Sequence, residues 1–259
     1  MVAPINRIIF QKFLQQNYIK YEIKVKDVHN SLEDEQMSLF MMRSRGRGVV
    51  SQYYRYDWIQ SYLRKLEKKY RKLVRVESIG KTYERRDILV IQISTDRSAR
   101  RPIVLIDAGI HAREWIAPSM ALYIINQLVE RQEGTEELTA KVDWHIIPVI
   151  NPDGYEYTHT KVRVVPVRTD AEGGSGQLGA RDRLWRKNRS KIKNSHCRGT
   201  DANRNFDLHW NEVGASSDPC DDTFSGTKGF SEAESQALQK YALKYQNRIK
   251  MYLTLHCYV

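Results

Sequence analysis

Along this chain the spacing of apolar residues switches between two periods. Residues 8–16 (IIFQKFLQQ) carry the spacing of a short amphipathic helix. Tyr21, Ile23 and Val25 alternate with Glu22, Lys24 and Lys26, the pattern of a half-buried strand. Asp27 to Gln36 returns to a polar helical pattern. Met37 to Gly48 ends in Arg43-Ser-Arg-Gly-Arg-Gly48, with little to bury, and reads as an exposed hinge open to trypsin-like cleavage. Trp58, Ile59, Tyr62, Leu63, Leu66, Tyr70 and Leu73 follow helical spacing. Asp87–Ser94 predicts a strand, and the apolar runs Ile103–Ile110 and Trp144–Ile150 predict strands buried on both faces. Ala117 to Glu130 carries Met120, Tyr123, Ile124 and Leu128 on one helical face. Ser231-Glu-Ala-Glu234 predicts a capping box opening a helix through Tyr245. Ile249–Leu255 predicts a further buried strand.

This alternation predicts an α/β fold, with a mixed, mostly parallel central sheet and helices on both faces. The hinge separates a small unit, residues 1–48, from a larger one, residues 49–259. One stretch breaks the pattern. Val162–Arg181 joins a short β-like run to a Gly/Ser-rich segment and reads as a loop insertion, tolerated because closure entropy grows slowly with loop length.

Composition narrows the class. At 259 residues, 41% hydrophobic and 28% charged, the chain is neither a disordered tail nor a membrane protein. It has no run of roughly 18 apolar residues, so no membrane helix is predicted. Met1 to Phe10 does not read as a signal peptide. The net charge of +11 raises a nucleic-acid partner. The cations recur on helical faces (Arg64, Lys65, Lys68, Lys69, Arg71, Lys72), however, and there a solvated surface explains them. The three cysteines are Cys197, Cys220 and Cys257, too sparse for a disulfide scaffold or a CxxC zinc site. Cys197 and Cys220 are flanked by loop formers and can close a surface loop in an oxidising compartment, which leaves Cys257 over.

Sheets of this kind bind ligands beyond the carboxyl ends of their strands. Ile103–Ile110 runs into His111-Ala-Arg-Glu114, and Ile249–Leu255 runs into His256. Two strand-end histidines and a glutamate form a His₂Glu set; three protein ligands with an open position are what catalytic zinc uses. With seven histidines in the chain, an HxxE match alone carries nothing. Histidines satisfied within a core remain the competing reading. Arg113, Arg186 and Arg204 add planar forks suited to a carboxylate or an oxyanion, and Asn203 adds a neutral donor. A metal beside these groups would suit gripping a terminal carboxylate while water attacks the neighbouring amide.

Five segments then carry a resemblance. His111-Ala-Arg-Glu114-Trp-Ile-Ala-Pro118, Asn151-Pro-Asp-Gly-Tyr155, Arg183-Leu-Trp-Arg186-Lys-Asn-Arg189, Asp201-Ala-Asn-Arg-Asn205 and Leu255-His256 resemble the zinc carboxypeptidases of the pancreatic A/B type. Carboxypeptidase A is itself a standard example of the His₂Glu set. The resemblance implies one zinc ion held by His111, Glu114 and His256, with Asp201 orienting a zinc histidine. It implies that Arg186 polarises the scissile carbonyl and that Asn203 and Arg204 grip the C-terminal carboxylate. Arg113 and Tyr258 would line outer subsites, and Cys197 and Cys220 would form a disulfide. Residues 1–48 would be the later part of a small α+β activation domain, with Arg43, Arg45 and Arg47 as processing sites for a trypsin-like protease. The resemblance further implies a secreted, monomeric enzyme acting on peptide C-termini, with neither nucleic acid nor membrane as partner.

The chain also departs from that pattern. The family's general-base glutamate, a mobile tyrosine and the side-chain-selecting residue all lie downstream of the last zinc histidine, beyond Val259. Lacking them, the printed chain is expected to lose the roughly 10²–10⁴-fold that positioned proton transfer supplies, and its last strand is expected to be an exposed edge. Both chain ends read as cut. Cys257 stands where the family commonly has Ser. Val162–Arg181 interrupts the pattern between Thr160 and Arg183 and reads as retained untranslated sequence, its initial Val-Arg matching an in-frame splice donor. Three functions follow for comparison: a C-terminal exopeptidase, an inactive zinc-binding relative, and a basic nucleic-acid binder.

Overall fold

The computed structural model describes residues 7–23, 30–31, 34–35, 52–131, 134, 136–160 and 183–257. The hinge with Arg43, Arg45 and Arg47, the insertion 162–181 and Tyr258 lie outside these residues. The chain divides into two compact units, Met1–Arg47 and Gly48–Val259. In the first, helix α1 (Arg7–Gln16) buries Leu14 and exposes Ile8, Ile9, Phe10 and Phe13. Asn30, Ser31, Asp34 and Glu35 are helical, in line with the polar helix expected there. The strand expected around Tyr21–Val25 is not found over its described part: residues 21–23 are irregular. Alternation fixes a strand only when a neighbouring strand accepts its hydrogen bonds, and the first unit supplies none among the described residues.

The second unit is an α/β layer structure. Its elements are α2 (Tyr56–Lys69), β1 (Val74–Lys81), β2 (Asp87–Ile93), β3 (Ile103–Ala108), α3 (Ile116–Val129), α4 (Glu136–Lys141), β4 (Asp143–Ile147), α5 (Pro152–His159), a 3₁₀ turn (Ala202–Arg204), α6 (Ala233–Lys244) and β5 (Ile249–Leu255). The sheet order is β1-β2-β4-β3-β5. β4, β3 and β5 run parallel, while β1 and β2 join antiparallel. On one face Ile88, Val90, Ile103 and Leu105 pack with Ala237, Leu238 and Tyr241 of α6. The alternate residues Leu89, Ile91 and Ile106 are equally buried, and α2 and α3 supply the opposite layer. The mixed sheet with helices around it is the fold the alternation predicted.

Two local features matter for the site. β5 is the exposed edge expected of the last strand and not the buried strand that its apolar run alone suggests: Met251, Tyr252 and Leu253 are exposed, because β5 pairs only with β3 among the described residues. The capping box at Ser231 does not form either. α6 starts one residue later, with Glu232 at the N-cap and no side-chain cap bond of its own. Asn205, distant in sequence, takes over: its Oδ1 accepts from Glu232 N at 3.0 Å and from Ser235 Oγ at 2.7 Å.

Beside that helix start, Glu234 is 1% exposed and its Oε1 has no partner among the described residues. Burial pushes its carboxyl up to about 7, against the hydrogen bond from Asn188. The folded state therefore holds a proton that the unfolded chain releases near its ordinary value of 4.5. Stability contributed this way is complete below pH 4.5 and is lost as pH rises to 7, by about 3 kcal/mol in total. Glu234→Gln is expected to flatten this fall in urea titrations run from pH 4.5 to 8. An unchanged pH slope in the variant would contradict it.

Candidate metal centre

β3, β4 and β5 are parallel, so their carboxyl ends share one edge. β3 stops at Ala108 because Gly109 turns the chain at φ +65°, a conformation that glycine adopts without strain. Two residues later comes His111. β5 delivers His256 to the same edge. His111 Nδ1 lies 2.8 Å from Glu114 Oε1, and His256 Nδ1 lies 2.9 Å from Glu114 Oε2. The three potential ligand atoms fall within 4.8 Å of one another. His111 and Glu114 are buried, whereas His256 faces solvent on one side.

Behind this set stands Asp201, fully buried. Its Oδ1 is 3.2 Å from His111 Nε2 and accepts from Asn203 N at 2.9 Å. Its Oδ2 accepts from Arg186 Nε at 2.9 Å and pairs with Arg186 Nη2 at 2.8 Å. Burial opposes the Asp201 charge, but contacts with His111 and Arg186 outweigh it and keep the carboxyl below its ordinary value. A carboxylate on Nε2 places the proton there and turns the Nδ1 lone pair toward Glu114. Burial likewise pushes Glu114 up, and the two histidines overcome it, holding the carboxyl down to about 2. Two imidazole Nδ1 atoms that both face one ionised carboxylate are a donor set that fits a borderline divalent ion such as Zn²⁺, which takes the place of their protons when it binds.

The surrounding loops are locked by backbone contacts. Ala112 N donates to Arg186 O at 3.0 Å, which ties the HxxE loop to the Arg186 segment. Asn151 caps α5, accepting from Gly154 N, and its Nδ2 donates to both Ile110 O and Lys187 O at 3.1 Å. Arg113 Nη1 donates to Leu184 O and pairs with Asp222 at 3.0 Å. Asn203 and Arg204 form the 3₁₀ turn directly after Asp201, where Arg204 Nε donates to Gly214 O at 2.9 Å. Cys197 and Cys220 are disulfide-bonded, with Cα atoms 5.2 Å apart, and Cys257 is free. His196 lies beside that disulfide, whose sulfurs are taken, so the His196–Cys197–Cys220 group is no metal site.

Sequence reasoning missed some residues. Asp107 is a fully buried carboxylate on β3; Thr254 Oγ1 donates to it at 3.0 Å, and the Tyr252 hydroxyl donates to its other oxygen. Burial raises Asp107, and these two donors oppose the shift. The signal was a lone Asp inside an apolar run. Asn188 was also missed. It donates to Glu232 and Glu234 and accepts from Thr200 N, joining the Arg186 segment to the helix start and to Asp201.

A parallel-centred α/β sheet with two imidazoles and a carboxylate converging at its carboxyl edge has the architecture of a mononuclear metallohydrolase. A family model described as zinc carboxypeptidase (Peptidase M14) matches residues 59–259, and the chain belongs to that family. Zinc carboxypeptidase A 1 of Drosophila melanogaster is 38% identical over 269 residues, spanning 100% of this chain and 56% of its own length. Carboxypeptidase B of Astacus astacus is 40% identical, spanning 80% of this chain and 61% of its own. Among solved structures, carboxypeptidase A from Helicoverpa armigera superposes with a TM-score of 0.84 at 32% identity, covering 100% of this chain and 60% of the other. The chain thus spans somewhat over half the length of these relatives.

Proposed function

We propose that the polypeptide containing this chain is a zinc-dependent metallocarboxypeptidase that hydrolyses C-terminal peptide bonds. The observation that carries this reading is the convergence of His111, Glu114 and His256 at one sheet edge, backed by Asp201 and Arg186. Zinc, when bound by those three side chains, supplies a Lewis acid that polarises the scissile carbonyl and activates water. Asp201 holds His111 in the ligating tautomer and keeps Arg186 in place. Arg186 then stabilises the charge that builds on the carbonyl oxygen. Asn203 and Arg204 hold the substrate's terminal carboxylate, which sets the cut at the last peptide bond. Arg113 and Tyr258 contact residues further from the scissile bond. The molecule is a secreted, monomeric zymogen released by a trypsin-like cut at Arg43, Arg45 or Arg47.

A second reading, carried by the resemblance alone, is zinc binding without turnover by residues 1–259 taken by themselves. The resemblance puts the general-base glutamate downstream of the last zinc histidine, and positioned proton transfer is worth roughly 10²–10⁴-fold. Both readings are tested with one peptide carrying a free C-terminal carboxylate and its C-terminal amide. A polypeptide extended past Val259 is expected to release the last residue only from the free acid. Residues 1–259 alone are expected to turn over at least about 10²-fold more slowly. Equal cleavage of acid and amide would remove the exopeptidase reading, and equal rates for the two polypeptides would remove the missing-base argument.

A further inference from the structure

The two histidines of the centre are supported differently. His111 has a carboxylate directly on its distal nitrogen. His256 has instead the hydroxyl of Thr254, with Oγ1 at 3.4 Å from its Nε2. Thr254 stands two residues before His256 on β5, so extended geometry puts both side chains on one face. The same hydroxyl donates to Asp107 Oδ1 at 3.0 Å, and Tyr252, a further two residues back on that face, donates to Asp107 Oδ2. Asp107 is 0% exposed and sits across the β3–β5 ladder, in register with Thr254.

We propose that Thr254 and Asp107 are positioning residues for the second metal-ligating histidine. A hydroxyl has one proton and two lone pairs. Because the Thr254 proton is committed to Asp107, its oxygen faces His256 as an acceptor. The His256 proton is thereby drawn to Nε2, and the lone pair is left on Nδ1, the nitrogen that faces Glu114. Tyr252 holds the second oxygen of Asp107 and stops the carboxylate from rotating away. Each histidine then has its tautomer set by a buried aspartate, directly for His111 and through one hydroxyl for His256. Both aspartates lie on well-held parts of the fold: Asp107 in β3, which is paired on both sides by β4 and β5, and Asp201 at the start of the 3₁₀ turn.

This inference rests on the zinc reading and is tested apart from activity, by titrating the full chain with Zn²⁺ against a chromogenic chelator. Thr254→Val keeps the shape and removes the hydroxyl; it is expected to weaken zinc binding roughly 10- to 100-fold, the cost usual for losing a group that orients a metal ligand. Thr254→Ser restores the hydroxyl and is expected to restore wild-type affinity, which a loss of β-strand packing would not allow. Asp107→Asn is expected to weaken binding in the same direction. Thermal melts without zinc report whether each variant is folded, and Thr254 is exposed enough for valine to be accommodated. Wild-type affinity in Thr254→Val, or failure of Thr254→Ser to recover, overturns the inference and leaves the zinc reading standing. A wild-type chain that binds no zinc overturns both.

Discussion

Asp201→Ala is expected to lower stability by about 3 kcal/mol and zinc affinity by roughly 10- to 100-fold. The carboxylate is fully buried and meets three partners: His111, Arg186 and the backbone N–H of Asn203. Removing it leaves the Arg186 guanidinium, only 14% exposed, without its counter-charge. Loss of one member of a buried pair costs about 3–5 kcal/mol, and the residual exposure of Arg186 places this case at the lower end. The zinc effect has a separate origin. Without an acceptor on Nε2, His111 is free to place its proton on Nδ1 and lose the lone pair that faces Glu114. Urea denaturation without metal reads the first effect, and zinc competition reads the second. Wild-type stability with wild-type affinity would show that Asp201 neither balances Arg186 nor orients His111.

Gly154→Ala should disturb fold and site together. A Cβ at this position would lie 2.5 Å from Lys187 O, 2.6 Å from Asn151 Nδ2 and 2.9 Å from Ala112 Cβ. None of these yields easily. The first is backbone next to Arg186, the second is the amide that caps α5 and bridges Ile110 to Lys187, and the third adjoins His111. Alanine normally favours a helix over glycine by roughly 1 kcal/mol, so propensity alone predicts stabilisation. Overpacking a tight interior costs about 1–3 kcal/mol, and here three loops must part. A net loss of about 2 kcal/mol is expected, together with weaker zinc binding as the HxxE loop and the Arg186 segment separate. A melting temperature equal to or above that of the wild type would mean that the contact is not rigid.

The parts of this molecule that were legible in the sequence are those in which local pattern and burial agree. β3 lies on both packed faces, so its apolar run reads directly as a strand. Its exit at Gly109 into His111-Ala-Arg-Glu114 places two candidate ligands by sequence alone. β5 shows the limit of that reasoning. Its apolar run is real, yet Met251, Tyr252 and Leu253 are exposed; a run of this length identifies a strand and does not say what covers it. β1 carries only a short signal: Val74 and Val76 alternate with Arg75 and Glu77, but the next position on that face is Ser78, so the apolar alternation ends after two residues. α5 carries a local start signal that motif matching alone does not use: Asn151 is a cap followed by Pro152 in the first turn. Ser231 looked like a cap because the capping box is a local rule. The oxygen that serves the start of α6 belongs to Asn205, and only tertiary structure brings it there.

The site divides along the same line. The candidate ligands follow from residue type and position at strand ends. The connections between ligands do not: Asp201 reaches His111 across 90 residues and Asp107 reaches Thr254 across 147. No pattern within one segment encodes such pairs. A buried Asp in an apolar strand is nonetheless a readable warning, because an aspartate is rarely fully buried without partners. Asp107 has two of them, both on β5.

The convergence of His111, Glu114 and His256 on a single metal ion is tested most directly by zinc stoichiometry. The chain and its His111→Ala and His256→Ala variants would be dialysed to equilibrium against micromolar Zn²⁺, with protein and metal then quantified. About one zinc per wild-type chain, lost in both variants, is the expected result. A wild-type chain without zinc, or variants that retain it, would contradict a centre built from these three side chains.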